Sequence, residues 1–260
     1  MEKLRIGRIP YLNVFPFFYF LERLNEPSFE FIEAVPSELN RMLRTGDLDV
    51  SPSSSVEYLL NEGLYEIIEG HSISSKGPVK SILLFSKYQL KDLRDKTVLA
   101  TYQSDTSVWQ LKIIANRFLG LNIQIKKTDL PLYEGLKDYP AYLLIGDDAM
   151  RNAALNPELS IYDLGELWYS HTALPFVYAL WIVRREAMDR KPFLIKKLKE
   201  SLDLIKSRFL KDPSEIAHLP EIAGLLGAEN VASYWRSLSF DLTDEHLRGM
   251  ELFKKYILSS

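Results

Sequence analysis

The sequence predicts an α/β protein of two lobes with a ligand cleft between them, and three observations predict it. Short, nearly continuous apolar stretches alternate with helical patterns along the first two thirds of the chain, as in parallel sheets covered by helices on both faces. The β/α pattern restarts near residue 90. From Glu186 onward the pattern is helical to the end.

The elements follow in order. LRIGRI (Leu4–Ile9) reads as a strand, Pro16–Leu24 as an aromatic helix and FEFIEAV (Phe29–Val35) as a strand. Pro36–Arg44 reads as a helix, with proline in its first turn and Gly46 past its end. Leu48–Val50 is a predicted strand, and Ser55–Asn61 a helix closed by Gly63. His71–Ser81 (HSISSKGPVKS) reads as a polar loop with its turn at Gly77-Pro78, leading into the strand KSILLFS (Lys80–Ser86). KTVLAT (Lys96–Thr101) is a strand, followed by a helix over Thr106–Phe118 that stops at Gly120. IQIKKT (Ile123–Thr128) and AYLLIGD (Ala141–Asp147) are strands, the second entering a helix capped by Asp147. Phe176–Val183 is an apolar strand. In the tail, Asp212-Pro213-Ser214-Glu215 carries a helix-start pattern. The predicted division is residues 1–86 plus 184–260 as the first lobe and 87–183 as an inserted second lobe. KSILLFS and FVYALWIVR then cross between them.

Composition narrows the functions. The 260 residues are 47% hydrophobic and 26% charged, with a net charge of −3, so no basic field draws nucleic acid or an anionic membrane. There is no cysteine, which removes disulfides, thiolate metal sites and a thiol nucleophile. MEKLRIGRIPYLN lacks an apolar signal core and a small-residue cleavage site, and no window reaches the ~20 apolar residues of a membrane span. A cytoplasmic location is the expectation.

Chemistry concentrates at two strand-to-helix junctions. In DLDVSPSSSVEYL, Ser54-Ser55-Val56-Glu57 fits a capping box with Ser54 as the cap. A helix start has one cap position, so Ser53, Ser54 and Ser55 together exceed what capping needs. In TYQSDTSVW, which follows KTVLAT, Thr101, Ser104, Thr106 and Ser107 crowd a second helix start. Hydroxyls and free N–H groups at a helix start favour an anion. Two such junctions on opposite lobes suit the two carboxylates of a dianionic ligand. Tyr11 and Asn13 stand where the first strand gives way to a loop, and Asn13 is open to a turn or capping role as well. His171 precedes the second crossing strand and is open to either a packing or a site role.

Other chemistries lack their motifs. The four histidines are scattered without metal-ligand spacing, and no G-x-S-x-G, G-x-x-x-x-G-K-[ST] or G-x-G-x-x-G occurs. The chain suits binding, or a reaction that its substrate nearly performs itself.

RIGRIPYLN, DLDVSPSSSVEYL, SISSKGPVKSILLFS, QSDTSVWQLK, LLIGDDA and LPFVYALW occur in this order. Together they resemble the chorismate dehydratase family of the futalosine-dependent menaquinone pathway, over residues 4 to about 185. The resemblance implies a periplasmic-binding-protein type II fold and dehydration of chorismate to 3-[(1-carboxyvinyl)oxy]benzoate, with no cofactor and no metal. The sister 1,4-dihydroxy-6-naphthoate synthase family is similar in fold but differs from RIPYLN in its first loop. With the resemblance, Asn13 is expected to orient the substrate or the leaving hydroxyl, the enolpyruvyl carboxylate to take the proton, and His171 to be the alternative base. Substrate contacts are expected from Tyr11, Ser54, Ser55 and Ser81 on the first lobe, and from Ser104, Asp105, Thr106 and Ser107 on the second. A non-catalytic solute-binding protein is the alternative from another class.

Overall fold

The computed structural model describes residues 2–259. The chain divides into two compact units. The first holds the chain up to Ile73 together with Val177–Thr243; the second holds Ser74–Phe176 and the chain from Asp244.

In the first unit, β1 (Leu4–Arg8), α1 (Phe15–Arg23), β2 (Phe29–Glu33), α2 (Pro36–Thr45), β3 (Val50–Ser54), α3 (Ser55–Leu60) and β4 (Tyr65–Ser75) follow in order. The second unit continues with β5 (Ile82–Ser86), β6 (Thr97–Thr101), α4 (Asp105–Ile113), β7 (Gln124–Thr128), α5 (Leu132–Asp138), β8 (Ala141–Ile145), α6 (Gly146–Leu155), β9 (Ser160–Asp163) and α7 (Leu164–Thr172). The chain returns to the first unit in β10 (Phe176–Arg184), α8 (Arg185–Arg190), α9 (Pro192–Lys211), α10 (Ser214–Ala217), α11 (Pro220–Leu226) and α12 (Ala228–Ser237), and closes on the second with α13 (Asp244–Leu258).

Each unit is built on a five-stranded sheet, ordered β2-β1-β3-β10-β4 and β7-β6-β8-β5-β9. Both are mixed rather than wholly parallel. β10 runs antiparallel to β3, pairing Trp181 with Pro52, and β5 runs antiparallel to β8 and β9. Partner strands therefore decide membership, and the seams fall elsewhere than at 86 and 184. β5 belongs with the second unit and β10 with the first. The C-terminal helices are shared, because Gly249 of α13 lies so close to Pro175 that a Cβ there would stand 2.1 Å from its carbonyl oxygen. Phe253 of the same helix meets Phe176 at 4.8 Å and Trp168 at 6.0 Å between ring centroids.

Two segments differ from expectation locally. β3 spans Val50–Ser54, so the serine-rich run is itself a central strand rather than a loop. His71–Ser75 ends the long strand β4 and is buried; Ser72 is tied to the chain before α13, its N–H donating to Phe240 O at 3.1 Å. The polar side chains hid both strands, because apolar runs are the signal that betrays a strand. The core of the first unit is aromatic: Phe17 and Phe18 pack on Trp181, and Phe240 joins Phe17 to Phe209.

Candidate active site

In the first unit, β1 and β3 are parallel, with Ile6 opposite Val50. The loop after β1 and the helix start after β3 therefore leave the sheet at the same edge. Such carboxyl edges are where ligands bind in open α/β sheets. At this edge Ser54 already accepts two bonds, from the Glu57 N–H at 3.3 Å and the Asn40 Nδ2 at 3.4 Å. Glu57 is buried, ion-paired with Arg44 and hydrogen-bonded by the Tyr65 hydroxyl at 2.8 Å; burial, with this neighbouring carboxylate, pushes the Tyr65 phenol up. Ser51 donates to the Pro52 carbonyl at 3.1 Å.

The remaining serines are different. The Ser53 and Ser55 hydroxyls are buried without a hydrogen-bond partner, and so are Asn13 Oδ1 and Asn40 Oδ1. Leaving a buried polar group unpaired costs about 1–3 kcal/mol, so such groups are rare in native chains and call for a reason. Asn13 does not cap α1, because Val14 holds the N-cap position without a side-chain bond. The Tyr11 carbonyl turns the loop, accepting Val14 N–H at 3.2 Å and Phe15 N–H at 3.1 Å. Trp235 of α12 donates its indole N–H to Leu12 O at 2.7 Å, so a helix more than two hundred residues along the chain holds the peptide next to Asn13. Asn40 and Trp235 carry no local motif that marks them in the sequence.

In the second unit, β6 and β8 are parallel, and β9 runs the same way through their shared neighbour β5. Their carboxyl ends gather Thr101–Ser107, Gly146–Asp147 and Asp163 at one edge. Ser81 enters at that edge too: its carbonyl accepts Gly146 N–H at 2.7 Å, and the next residue, Ile82, pairs with Ile145. Ser81 thus belongs to the second unit, not the first. Ser104 caps α4, accepting Ser107 N–H at 3.1 Å, and its hydroxyl lies 3.0 Å from the Ser107 hydroxyl. Thr106 and Ser107 are buried. Asp105 is exposed and pairs with Lys127 of β7. Asp147 lies in the first turn of α6, whose N-cap is Ile145, so it is not the cap.

His171 stands apart. α7 begins at the carboxyl edge and runs away from it, and His171 is in its last turn. The exposed imidazole stacks on Phe118 with centroids 5.1 Å apart, and Nδ1 lies 2.8 Å from Leu167 O. Within its unit it stands at the other end of α7 from Asp163.

Two of the cavities lie near these sheet edges. One of about 410 Å³ in the second unit adjoins the start of α4 and is lined by Thr101, Gln103, Asp129, Tyr133, Asp148 and Asn152 among others, with no lysine or arginine. One of about 340 Å³ lies at the amino edge of β1 and β3, around Arg5, Asp49 and Lys191. There the cations are already engaged: Arg5 and Lys191 both reach Asp49 at 2.7 Å. Burial pushes the Asp49 carboxyl up, but these bonds outweigh it and hold the group below its ordinary value. Among the described residues, no group of three or more acidic or histidine side chains is arranged to hold a metal ion, and no helix is long and apolar enough to cross a membrane.

Comparison with known proteins adds kinship to this geometry. The model of a family described as menaquinone biosynthesis matches residues 4–258. A chorismate dehydratase of Thermus thermophilus is 36% identical over 211 residues, covering 75% of each chain. Among solved structures, a protein of Archaeoglobus fulgidus aligns over 99% of this chain and 97% of its own, with a TM-score of 0.76 and 16% identity. The periplasmic aliphatic sulphonate binding protein of Escherichia coli aligns over 99% and 94%, with a TM-score of 0.68 and 17% identity. At these identities the likeness establishes the fold alone, which is that of periplasmic binding proteins.

Proposed function

The chain belongs to the menaquinone biosynthesis family, and from that premise we propose that it is a chorismate dehydratase, a hydro-lyase that converts chorismate to 3-[(1-carboxyvinyl)oxy]benzoate and water. The observation that carries the reading beyond kinship is the buried, unpaired Ser55 hydroxyl, a donor for a carboxylate, at the same edge of the first sheet as the unpaired Asn13 Oδ1, an acceptor for a substrate hydroxyl. The second unit presents its own hydroxyl-rich edge at Ser81, Thr106 and Ser107. Hydroxyl donors of this kind suit the carboxylates that chorismate carries.

The chemistry asks for little more. The C3 proton is vinylogous to the ring carboxylate. Its removal sends the C3–H electron pair through the C2–C1 bond into that carboxylate, forming an enolate-like intermediate. Collapse expels hydroxide from C4, the proton joins it as water, and the ring becomes aromatic. The reaction is redox-neutral and needs no electron acceptor, so we read the enzyme as independent of a cofactor. Hydroxyl donors on the ring carboxylate stabilise the charge that develops there, and holding the substrate in one conformation supplies the rest. The enolpyruvyl carboxylate takes the C3 proton, and Asn13 orients that group or the departing hydroxyl. We read the protein as cytoplasmic, a reading that such a biosynthetic role supports.

The test is direct. Purified protein is mixed with chorismate, and mass and ultraviolet absorbance are followed for loss of one water and formation of an aromatic ring. Turnover supports the reading. Binding without turnover favours a solute receptor of the same fold, and turnover of a cyclic futalosine derivative instead favours the sister naphthoate synthase.

A further inference from the structure

We propose that Asp163 is a positioning residue of this same site: its carboxylate clamps the Val79–Lys80 segment and so sets the presentation of Ser81. The proposal rests on the dehydratase reading. Asp163 ends β9 and caps α7, its Oδ1 accepting Gly165 N–H at 2.8 Å and Glu166 N–H at 3.1 Å. A cap needs no more than that. Yet Oδ1 also accepts Val79 N–H at 3.0 Å, and Oδ2 accepts Lys80 N–H at 2.7 Å. One side chain thus joins the start of α7 to a segment more than eighty residues earlier.

That segment has reason to need a clamp. Lys80 has φ +64°, a left-handed conformation that a side-chain-bearing residue adopts at a cost. The two donated N–H groups hold it there. Ser81 follows at once, its carbonyl fixed by Gly146 N–H and its successor Ile82 registered on Ile145. Ser81 is therefore fixed from both sides: by β8 at its carbonyl, and by Asp163 through the peptide units that precede it. The sequence carries a local hint of half of this, since Asp163-Leu164-Gly165-Glu166 reads as a helix start. The other half is a long-range contact.

Two variants separate the halves. Asp163→Ser keeps a cap-competent oxygen for Gly165 and Glu166 but is too short to serve Val79 and Lys80. Asp163→Asn keeps a carbonyl oxygen at the Oδ1 position and loses only the Lys80 bond. Amide hydrogen exchange at Val79 and Lys80 is measured alongside steady-state kinetics with chorismate. The expected result for Asp163→Ser is lost protection at both amides, KM raised about tenfold and kcat held within about twofold, the signature of weakened substrate holding rather than lost chemistry. Asp163→Asn should fall between that variant and the parent, with exchange faster at Lys80 alone; it also carries the test if Asp163→Ser does not fold. Unchanged KM after loss of protection overturns the proposal, as does retained protection in Asp163→Ser. A parent protein that leaves chorismate intact takes down the dehydratase reading itself, and the role assigned here with it; normal turnover by the parent with an unaltered variant KM takes down the role alone.

Discussion

Gly7 of β1 and Ser51 of β3 touch so closely that a Cβ on Gly7 would stand 2.6 Å from the Ser51 hydroxyl oxygen and 2.8 Å from its Cβ. The two strands that deliver Asn13 and Ser55 to one edge are thereby held together by the absence of a side chain. Gly7→Ala must force them apart. Overpacking of this kind costs about 1–3 kcal/mol, and the thermal midpoint should fall by about 2–4 °C for each of these. Turnover should fall as well, since both site residues move. A variant with an unchanged midpoint would show that the contact relaxes freely.

Asn13 has a buried carboxamide oxygen without a partner and takes no part in capping α1. If it acts on the departing hydroxyl or the proton-accepting carboxylate, its contribution grows in the transition state. Asn13→Ala should then lower kcat by about 10²–10³-fold, as removal of a preorganised polar group does, with KM little changed. Equal losses in kcat and binding would reject the role. His171→Gln is the contrasting variant, and its rate should stay close to the parent value because the imidazole sits at the far end of α7 on Phe118.

Ser55 offers a separable signature. Its hydroxyl is buried and unpaired, so removing it relieves a desolvation cost of about 1–3 kcal/mol. Ser55→Ala should raise the thermal midpoint by a few degrees while raising KM for chorismate. A loss of stability would mean that the hydroxyl contributes to the fold and not to the substrate.

His71 predicts a pH dependence. Burial pushes its imidazole below the ordinary 6.5, only partly offset by its bond to Asp203 at 2.8 Å, and Lys206 and Lys199 nearby act in the same direction as burial. Below pH 6.5 the unfolded chain therefore binds a proton that the folded chain resists, and stability falls as pH drops toward the folded value. For Asp203, burial pushes the carboxyl up, but bonds from Lys199 and His71 hold it below 3.8, so its own loss comes at lower pH. The thermal midpoint should decline between pH 7 and 5, and His71→Gln should flatten that decline. Parallel slopes in the two proteins would assign the decline to other groups.

What was legible in the sequence was local. Ser54 was readable as a cap because a cap is a bond to the N–H three residues on, and the structure places it there; at the second junction the sequence left the cap open among the hydroxyls, and the structure gives it to Ser104. The excess of hydroxyls around them was readable for the same reason, since a helix start has room for one cap. The alternation of apolar strands with helices, and the restart near residue 90, likewise announced two α/β units.

The tertiary structure alone decided what distant pairing decides. Ser51–Ser54 became a central strand because β10, more than a hundred residues later, lies beside it. Ser81 went to the second unit because β5 pairs with β8. Trp235 reached Leu12, and Asp163 reached Val79 and Lys80. A cap is settled by four consecutive residues, whereas strand partners and long-range clamps are chosen by which of many distant segments buries best against them, and no short stretch of sequence contains that choice.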